Sequence, residues 1–319
     1  MAERASWSQP GFKPGALSRQ PAHHLWLWRV SAALMLPREH GAWAMLLMPY
    51  LVGTVVAGGF GQESFLLLVS VLLLFMSSRP LEVLLQSRPA TDADHGGRAE
   101  AADPGADASR AAWKTAAEQR RQASFRLAVY LWFGVALGVL VASRRWALLP
   151  LGALASALLV ARPALRRRYL DRSWPARLTS IAALAIAGPA AYYAASGLLD
   201  RRAFAVWALG FFYSGGSLFY VRLFNHPTGK RMSSSRSDGQ ARAKRQLLAY
   251  LAVCFACLAG LSALGWLPMA GMMALVPMAV KSAWALARPG HRPTLRRIGY
   301  GEIVHTVLFG VLAALVLAA

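Results

Sequence analysis

The sequence predicts an all-α protein, a polytopic bundle of about nine transmembrane helices with a cytoplasmic N-terminus and the C-terminus outside. Of its 319 residues, 56% are hydrophobic, and the mean hydropathy is +0.38. The apolar residues come in repeated runs of roughly 16 to 22, about the length that crosses a ~30 Å hydrocarbon layer as a helix. The basic residues collect in alternate connections between those runs, as membrane topology requires.

The apolar runs define nine predicted spans. In chain order they cover residues 42–60, 64–84, 125–142, 146–161, 178–196, 203–221, 247–265, 267–287 and 300–318. The fourth is short, and only "GWLP" separates the seventh from the eighth. A merged or re-entrant pair formed by these last two is the alternative to nine full crossings.

The positions of lysine and arginine support a topology in which successive connections lie alternately on the inner and the outer side of the membrane. With the N-terminus inside, the inner segments are the tail and the connections after spans two, four, six and eight. Of the 35 Lys and Arg residues, 31 belong to these segments or, like Arg79 at the end of span two, to the span ends that adjoin them, and only four fall in outer connections: Arg144, Arg145, Arg201 and Arg202. The positive-inside rule predicts such a split. The net charge of +21 is therefore interpreted as a topology signal, and no nucleic-acid partner is predicted.

The chain is predicted to contain one folded domain and a tail. Residues 1–36 are polar and basic and lack the apolar stretch of a secretory signal, so a cytoplasmic tail is expected there. Residues 37–319 are predicted to form a single transmembrane helical domain. Flexible cytoplasmic loops are expected near 88–123 and 223–245, where small and polar residues replace the apolar runs.

The candidate functional residues are ionisable side chains inside apolar spans or at their edges. A charge at mid-membrane costs about 2.5–3.5 kcal/mol on insertion scales, so such residues are candidates for a function by default. By the predicted topology all of them lie towards the cytoplasmic side: Arg38, Glu39, His40, Arg79, Glu82, Arg222, Lys281, Glu302 and His305.

Two interpretations of this set are open. Arg79 and Glu82, like Glu302 and His305, are three residues apart and so share a helix face. The first interpretation is that the set forms structural ion pairs between helices. The second is that Lys281 and the arginines of spans two and six receive an anionic head group, while nearby acidic and histidine side chains orient it or move protons.

Two further patterns are interpreted structurally. Gly134 and Gly138 form a GxxxG in span three, which predicts a helix-packing face. Cys254 and Cys257 form a C-x-x-C inside an apolar run with no second pair. No metal site and no cofactor are predicted from the residues.

Three stretches carry a resemblance to a known family: "LPREHGAWAMLLMPYLVG" at span one, "GGSLFYVRLFNHPTGKR" at the end of span six, and "RIGYGEIVHTVLF" at span nine. With these the sequence resembles the YwiC-like family of bacterial integral membrane proteins, from about residue 36 onward. The resemblance implies a multi-pass protein of the bacterial cytoplasmic membrane and assigns no particular reaction.

The predicted architecture is also similar to the UbiA-type intramembrane prenyltransferases. That resemblance implies nine helices and an active site at the cytoplasmic ends of helices two and six, where Asp-rich motifs hold Mg²⁺ and an isoprenoid diphosphate. This chain departs from that pattern. Span two ends in "SSRPLEVLLQ", whose single acidic residue is Glu82, and span six ends in "YVRLFNHPTGKR", which has none.

The sequence therefore favours a membrane protein that binds an anionic lipid or isoprenoid-type ligand in a basic, cytoplasm-facing cavity. A UbiA-like prenyltransferase, with Mg²⁺ as its cofactor, is one alternative. A transporter or a structural assembly partner is the other. The lipid bilayer is the predicted partner in every case, and no oligomeric state is predicted.

Overall fold

The computed structural model describes residues 40–86, 104–168, 174–224, 233–288 and 294–318. The predicted tail, 1–36, lies outside these residues. Within the described ranges the chain is helical and has no strand, which confirms the all-α prediction. Eleven α-helices and one 3-10 helix follow each other along the chain. They are α1 (His40–Val56), α2 (Gln62–Met76), α3 (Ser78–Gln86), α4 (Pro104–Arg144), α5 (Leu148–Arg168), α6 (Trp174–Ala185), α7 (Ala187–Ser196), α8 (Arg201–Phe224), α9 (Ser233–Ala263), the 3-10 helix (Met269–Leu275), α10 (Val276–Ala287) and α11 (Leu295–Ala318).

Among the described residues, seven helical segments are long and apolar enough to cross a membrane, so the chain is a multi-pass membrane protein. These are Gln62–Leu84, Ala117–Arg144, Ala176–Ser196, Arg201–Phe224, Gly239–Ala263, Met269–Ala287 and Arg297–Ala318. Two shorter apolar helices, Ala42–Val56 and Leu148–Leu159, coincide with the first and fourth predicted spans. The count of nine crossings and the side on which each terminus lies stay predictions.

Two of the predicted spans contain a break between two α-helices, and proline explains both. Proline has no N–H to donate to the carbonyl four residues earlier, and its ring crowds that carbonyl. Four residues before Pro80, α2 ends at Met76, and four residues before Pro189, α6 ends at Ala185. The second and fifth spans are therefore each built from two shorter helices.

Helix extends into both predicted loops. Within the loop expected near 88–123, α4 begins at Pro104, and within the loop expected near 223–245, α9 begins at Ser233. The first of these segments, "ADASRAAWKTAAEQRRQ" (106–122), is rich in alanine, arginine and glutamine. These residues favour helix, and no proline interrupts them. The structure thus differs from the loop prediction over 104–123 and 233–245.

The centre of the described bundle is formed by α7 and α8, whose residues are largely buried. Helix α8 packs against α1, α6, α7, α9, α10 and α11. Small residues permit the closest approach: a Cβ at Gly53 of α1 would collide with the backbone carbonyl of Gly188 in α7. Small residues at crossings are the usual means of packing membrane helices, which have no hydrophobic driving force between them in lipid.

The predicted GxxxG face is a helix contact, as expected. The hydroxyl of Ser70 in α2 donates to the carbonyl oxygen of Gly134 in α4 at 2.7 Å. A Cβ at Gly134 would lie 3.0 Å from the Leu74 side chain, and one at Gly138 would lie 3.1 Å from Ser70 Oγ. Glycine at both positions therefore lets α2 and α4 pack closely.

Candidate functional site

The most enclosed charge in the described part of the chain is Lys281 of α10, which is 4% exposed. Its ammonium donates to both carboxylate oxygens of Glu302 in α11, each at 2.9 Å, and to the hydroxyl of Ser217 in α8, also at 2.9 Å. An ammonium has three N–H donors, and these three acceptors match them. Three helices thus meet on one side chain.

Two tyrosine rings complete the surroundings of the ammonium. Lys281 Nζ lies 5.1 Å from the centroid of the Tyr213 ring and 5.0 Å from that of Tyr220. Both distances are within the range of cation–π attraction. Tyr213, Ser217 and Tyr220 are spaced four and three residues apart, so they project from one face of α8.

A second row of residues on α11 matches that face. The Tyr213 hydroxyl lies 3.3 Å from Thr306 Oγ1, and the Tyr213 ring stacks on Phe309 with 4.1 Å between centroids. Glu302, Thr306 and Phe309 again have spacings of four and three. The two helices therefore meet along one continuous seam, and Lys281 inserts into it from α10.

The second glycine in "YSGGS", Gly216, explains how α10 comes close enough. Gly216 of α8 packs directly against the sulfur of Met278, so that any side chain at position 216 would displace it. Met278 lies one turn before Lys281 on α10. Because Gly216 precedes Ser217, the same close approach brings the ammonium within hydrogen-bonding distance of the Ser217 hydroxyl.

Three arginines lie beyond this site, towards one end of the bundle. Arg222 of α8 is five residues past Ser217, Arg288 is seven residues past Lys281, and Arg297 of α11 is five residues before Glu302. At 1.5 Å per helical residue, Arg222 and Arg297 lie roughly 7–8 Å further along their helices, and Arg288 follows the last residue of α10. We call this region, Arg222, Arg288 and Arg297, the Arg222 end. The predicted topology assigns it to the cytoplasmic side.

The charges at the Arg222 end are unbalanced. Helices α8, α10 and α11 contain one acidic residue between them, Glu302, and it is paired with Lys281. Arg222 is half-buried and Arg297 is exposed, and the Arg288 guanidinium lies over the Trp284 ring at 4.7 Å. None of the three forms an ion pair with another described residue.

The structure separates the predicted residues into groups. It brings Lys281 and Glu302 together, and Arg222 lies five residues past Ser217 on α8. His305 lies one turn after Glu302, and its Nδ1 is 2.7 Å from the carbonyl oxygen of Gly301 on its own helix.

Arg79 and Glu82 lie elsewhere. They pair with each other at 3.1 Å on α3, and α3 packs against α2 and α4. Their predicted shared face is thus correct. Arg38 and Glu39 lie outside the described residues, and His40 is the first residue of α1, with its side chain outside them as well.

Three members of the site were not predicted: Tyr213, Ser217 and Tyr220. They carry no formal charge, and the sequence argument considered ionisable residues alone. The available signal was "YSGGSLFY", which places two tyrosines and a serine on one helical face directly before Arg222. Aromatic and hydroxyl groups beside an intramembrane lysine are what stabilises it there.

Comparison with known protein families gives a match for part of the chain. Residues 36–192 match the model of a family described as YwiC-like protein. That segment includes "LPREHGAW" and ends before the other two stretches of the resemblance and before the Lys281 site. Searches of curated proteins and of solved structures gave no match, so the similarity to UbiA-type prenyltransferases gains no support. The predicted family resemblance is confirmed for the matched segment, and residues 36–192 of this chain are YwiC-like.

Proposed function

We propose that this multi-pass membrane protein binds an anionic lipid or isoprenoid-type ligand, with the phosphate of the ligand at the Arg222 end. One observation carries the proposal. Arg222 on α8, Arg288 just after α10 and Arg297 on α11 lie towards one end of the bundle, beyond a site whose only described carboxylate is already neutralised by Lys281. Guanidinium groups bind phosphate in a bidentate manner and stay charged at any physiological pH.

The Lys281–Glu302 pair has a supporting role in this proposal. Without its partner, the Glu302 carboxylate would repel a phosphate placed at the Arg222 end. With its partner, it is neutralised and held away from the arginines by two hydrogen bonds. The pair is a positioning element below the head group, and the apolar surfaces of the surrounding helices accept the hydrocarbon chain.

The test is a binding measurement on purified protein in mild detergent. Thermal stability is followed with increasing phosphatidylglycerol, with farnesyl phosphate, and with phosphatidylcholine, which is zwitterionic with no net charge, as the control. Ligand that binds the folded state stabilises it by about 2.7 kcal/mol at a hundredfold excess over the dissociation constant. We expect a shift with the two anionic ligands that is lost when Arg222, Arg288 and Arg297 are all replaced by Gln.

The matched control is Arg144→Gln, which removes an exposed arginine from the end of α4. This variant should retain the shift. If both variants reduce it equally, the protein responds to overall charge, and a site at the Arg222 end is refuted. A shift that phosphatidylcholine reproduces would refute the anionic part of the proposal.

A second candidate function, transport, is favoured by a different observation. Lys281 and Glu302 are ionisable groups inside apolar helices, and in transporters such pairs serve as relays or coupling sites. Proteoliposomes that enclose a pH-sensitive dye would test it. Proton entry after an acid pulse, lost in Glu302→Gln and retained in Glu82→Gln, would favour transport; equal traces for empty liposomes and protein would refute it.

A further inference from the structure

A groove lies at the opposite end of α8 from the Arg222 end. It has a volume of about 480 Å³ and is bounded by the start of α8, the turn after α9 and the last turns of α11. Its rim carries Arg201 and Arg202, and its interior is lined by Ser262 together with apolar residues such as Trp266, Met269 and Leu317. We call it the Arg201 groove.

The rim of the Arg201 groove is cationic. Arg201 Nη1 reaches across it to the carbonyl oxygen of Gly265 at 3.3 Å, and both arginines are exposed. The neighbouring carboxylate, Asp200, accepts from the backbone N–H groups of Arg202 and Ala203 at 2.9 and 3.3 Å and from the Tyr192 hydroxyl at 3.0 Å. Its lone pairs are thus engaged in capping α8, and the rim retains a net positive charge.

The interior contains one polar atom without a partner. The Ser262 hydroxyl oxygen is buried and forms no hydrogen bond with any described residue. Buried hydroxyls in folded proteins are nearly always hydrogen-bonded, because desolvating one without compensation costs free energy. Around it the groove wall is apolar. A ligand that suits this groove carries an anionic group at the rim, a hydrogen-bond acceptor further in, and hydrocarbon.

We infer that the Arg201 groove binds the head group of an anionic phospholipid from the bilayer. The phosphate accepts hydrogen bonds from Arg201 and Arg202, the Ser262 hydroxyl donates to an oxygen of the glycerol ester, and the acyl chains leave over the apolar wall. Trp266, which lines the groove, is a residue typical of the membrane–water interface, where such a head group lies. A soluble anion would leave the apolar wall uncovered, and the choline cation of a zwitterionic phospholipid would oppose the positive charge of the two arginines.

This site is distinct from the Arg222 end. From Arg201 to Arg222 α8 advances 21 residues, which is roughly 32 Å and close to the thickness of the hydrocarbon layer. The two basic regions therefore face opposite surfaces of the membrane, and neither inference depends on the other.

Native mass spectrometry on the full chain tests the inference. The protein is titrated with phosphatidylglycerol, and with phosphatidylcholine of the same acyl chains, and the bound lipids are counted. The titration is done in the wild type and in a variant in which Arg222, Arg288 and Arg297 are all Gln, so that binding at that end is removed. We expect the second background to retain one phosphatidylglycerol in preference to phosphatidylcholine.

Replacing Arg201 and Arg202 together by Gln should weaken that remaining binding at least about tenfold, or about 1.4 kcal/mol, since the charge-assisted hydrogen bonds to the phosphate are lost. The control is Arg144→Gln, which also removes a positive charge on that side of the bundle. This variant should bind phosphatidylglycerol as tightly as its background does. Equal weakening by both variants, or no preference for phosphatidylglycerol, would overturn the inference.

A second variant, which keeps every charge, tests the inference in case the double Gln variant misfolds. Ser262→Leu fills the interior of the groove and removes the unpartnered hydroxyl. We expect it to release the bound phosphatidylglycerol while the protein stays monodisperse in gel filtration. Retention of the lipid by a monodisperse Ser262→Leu protein would place the lipid outside the groove and overturn the inference.

Discussion

The described part of this protein contains two ion pairs of similar length in very different surroundings. Lys281 and Glu302 are 2.9 Å apart, and their side chains are 3% and 20% exposed. Arg79 and Glu82 are 3.1 Å apart, and theirs are 33% and 50% exposed. The first pair joins two helices and has a hydroxyl and two aromatic rings around it, whereas the second lies on one short helix.

The comparison shows that distance alone does not rank ion pairs. An exposed pair three residues apart on a helix contributes about 0.2–0.5 kcal/mol. A buried pair contributes little relative to apolar residues of the same shape, yet removal of one partner costs about 3–5 kcal/mol, because an uncompensated charge remains in a low-dielectric region. Burial thus determines how much each substitution lowers the free energy of unfolding.

The largest effect is expected from Lys281→Met. It leaves Glu302 facing Ser217 and two tyrosines without a cation, so we expect the free energy of unfolding to fall by about 3–5 kcal/mol. Unfolding by SDS in mixed micelles, followed by tryptophan fluorescence, measures it. The double variant Lys281→Met with Glu302→Gln should recover much of the loss. If Lys281→Met costs no more than Glu82→Gln, burial does not separate the two pairs.

A smaller loss is expected from Ser217→Ala, which removes one of the three hydrogen bonds of the ammonium. Hydrogen bonds to charged groups contribute about 1.5–3 kcal/mol, and that range is the expected loss in the same unfolding measurement. Ser214→Ala is a matched control, since Ser214 is buried one turn earlier on α8. Equal losses in the two variants would mean that the hydroxyl of Ser217 has no special role for Lys281.

The aromatic contribution is tested at Tyr220. Tyr220→Leu removes the ring 5.0 Å from the ammonium and should cost about 1–2 kcal/mol, the range of a desolvated cation–π contact. Tyr220→Phe keeps the ring and should unfold at nearly the wild-type SDS concentration. A loss in Tyr220→Phe equal to that in Tyr220→Leu would assign the effect to the hydroxyl group instead.

The smallest effect is expected from Glu82→Gln at the exposed pair. The loss should be at most about 0.5 kcal/mol and should disappear at 1 M salt, where the Debye length is about 3 Å. The loss in Lys281→Met should depend much less on salt, because the buried pair is screened less. Unfolding curves at low and high salt compare the two, and equal salt dependence would contradict the assignment of one pair as buried.

Several features followed from local sequence alone. The apolar runs were long enough to identify membrane helices, and "LPREHGAW" pointed to the family of residues 36–192. The helix ends at Met76 and Ala185 were not predicted, although a proline stands four residues after each. The Arg79–Glu82 pair was predictable from a spacing of three on one helix. Each of these depends on residues that are neighbours along the chain, for which helix geometry supplies the contact.

The Lys281 site depended on the tertiary structure. Glu302 is 21 residues from Lys281, and Ser217 is 64 residues away, so no helical spacing relates them. Several cations and carboxylates lie at the edges of the spans. The rotation of α8, α10 and α11 about their axes determines that Lys281 and Glu302 are the two that face each other. That rotation is set by the close contact of Gly216 with Met278 and by the stacking of Tyr213 on Phe309. Sequence determined which segments are helical and apolar, because hydrophobicity and hydrogen bonding act locally; packing alone decided which charge was buried and which stayed at the surface.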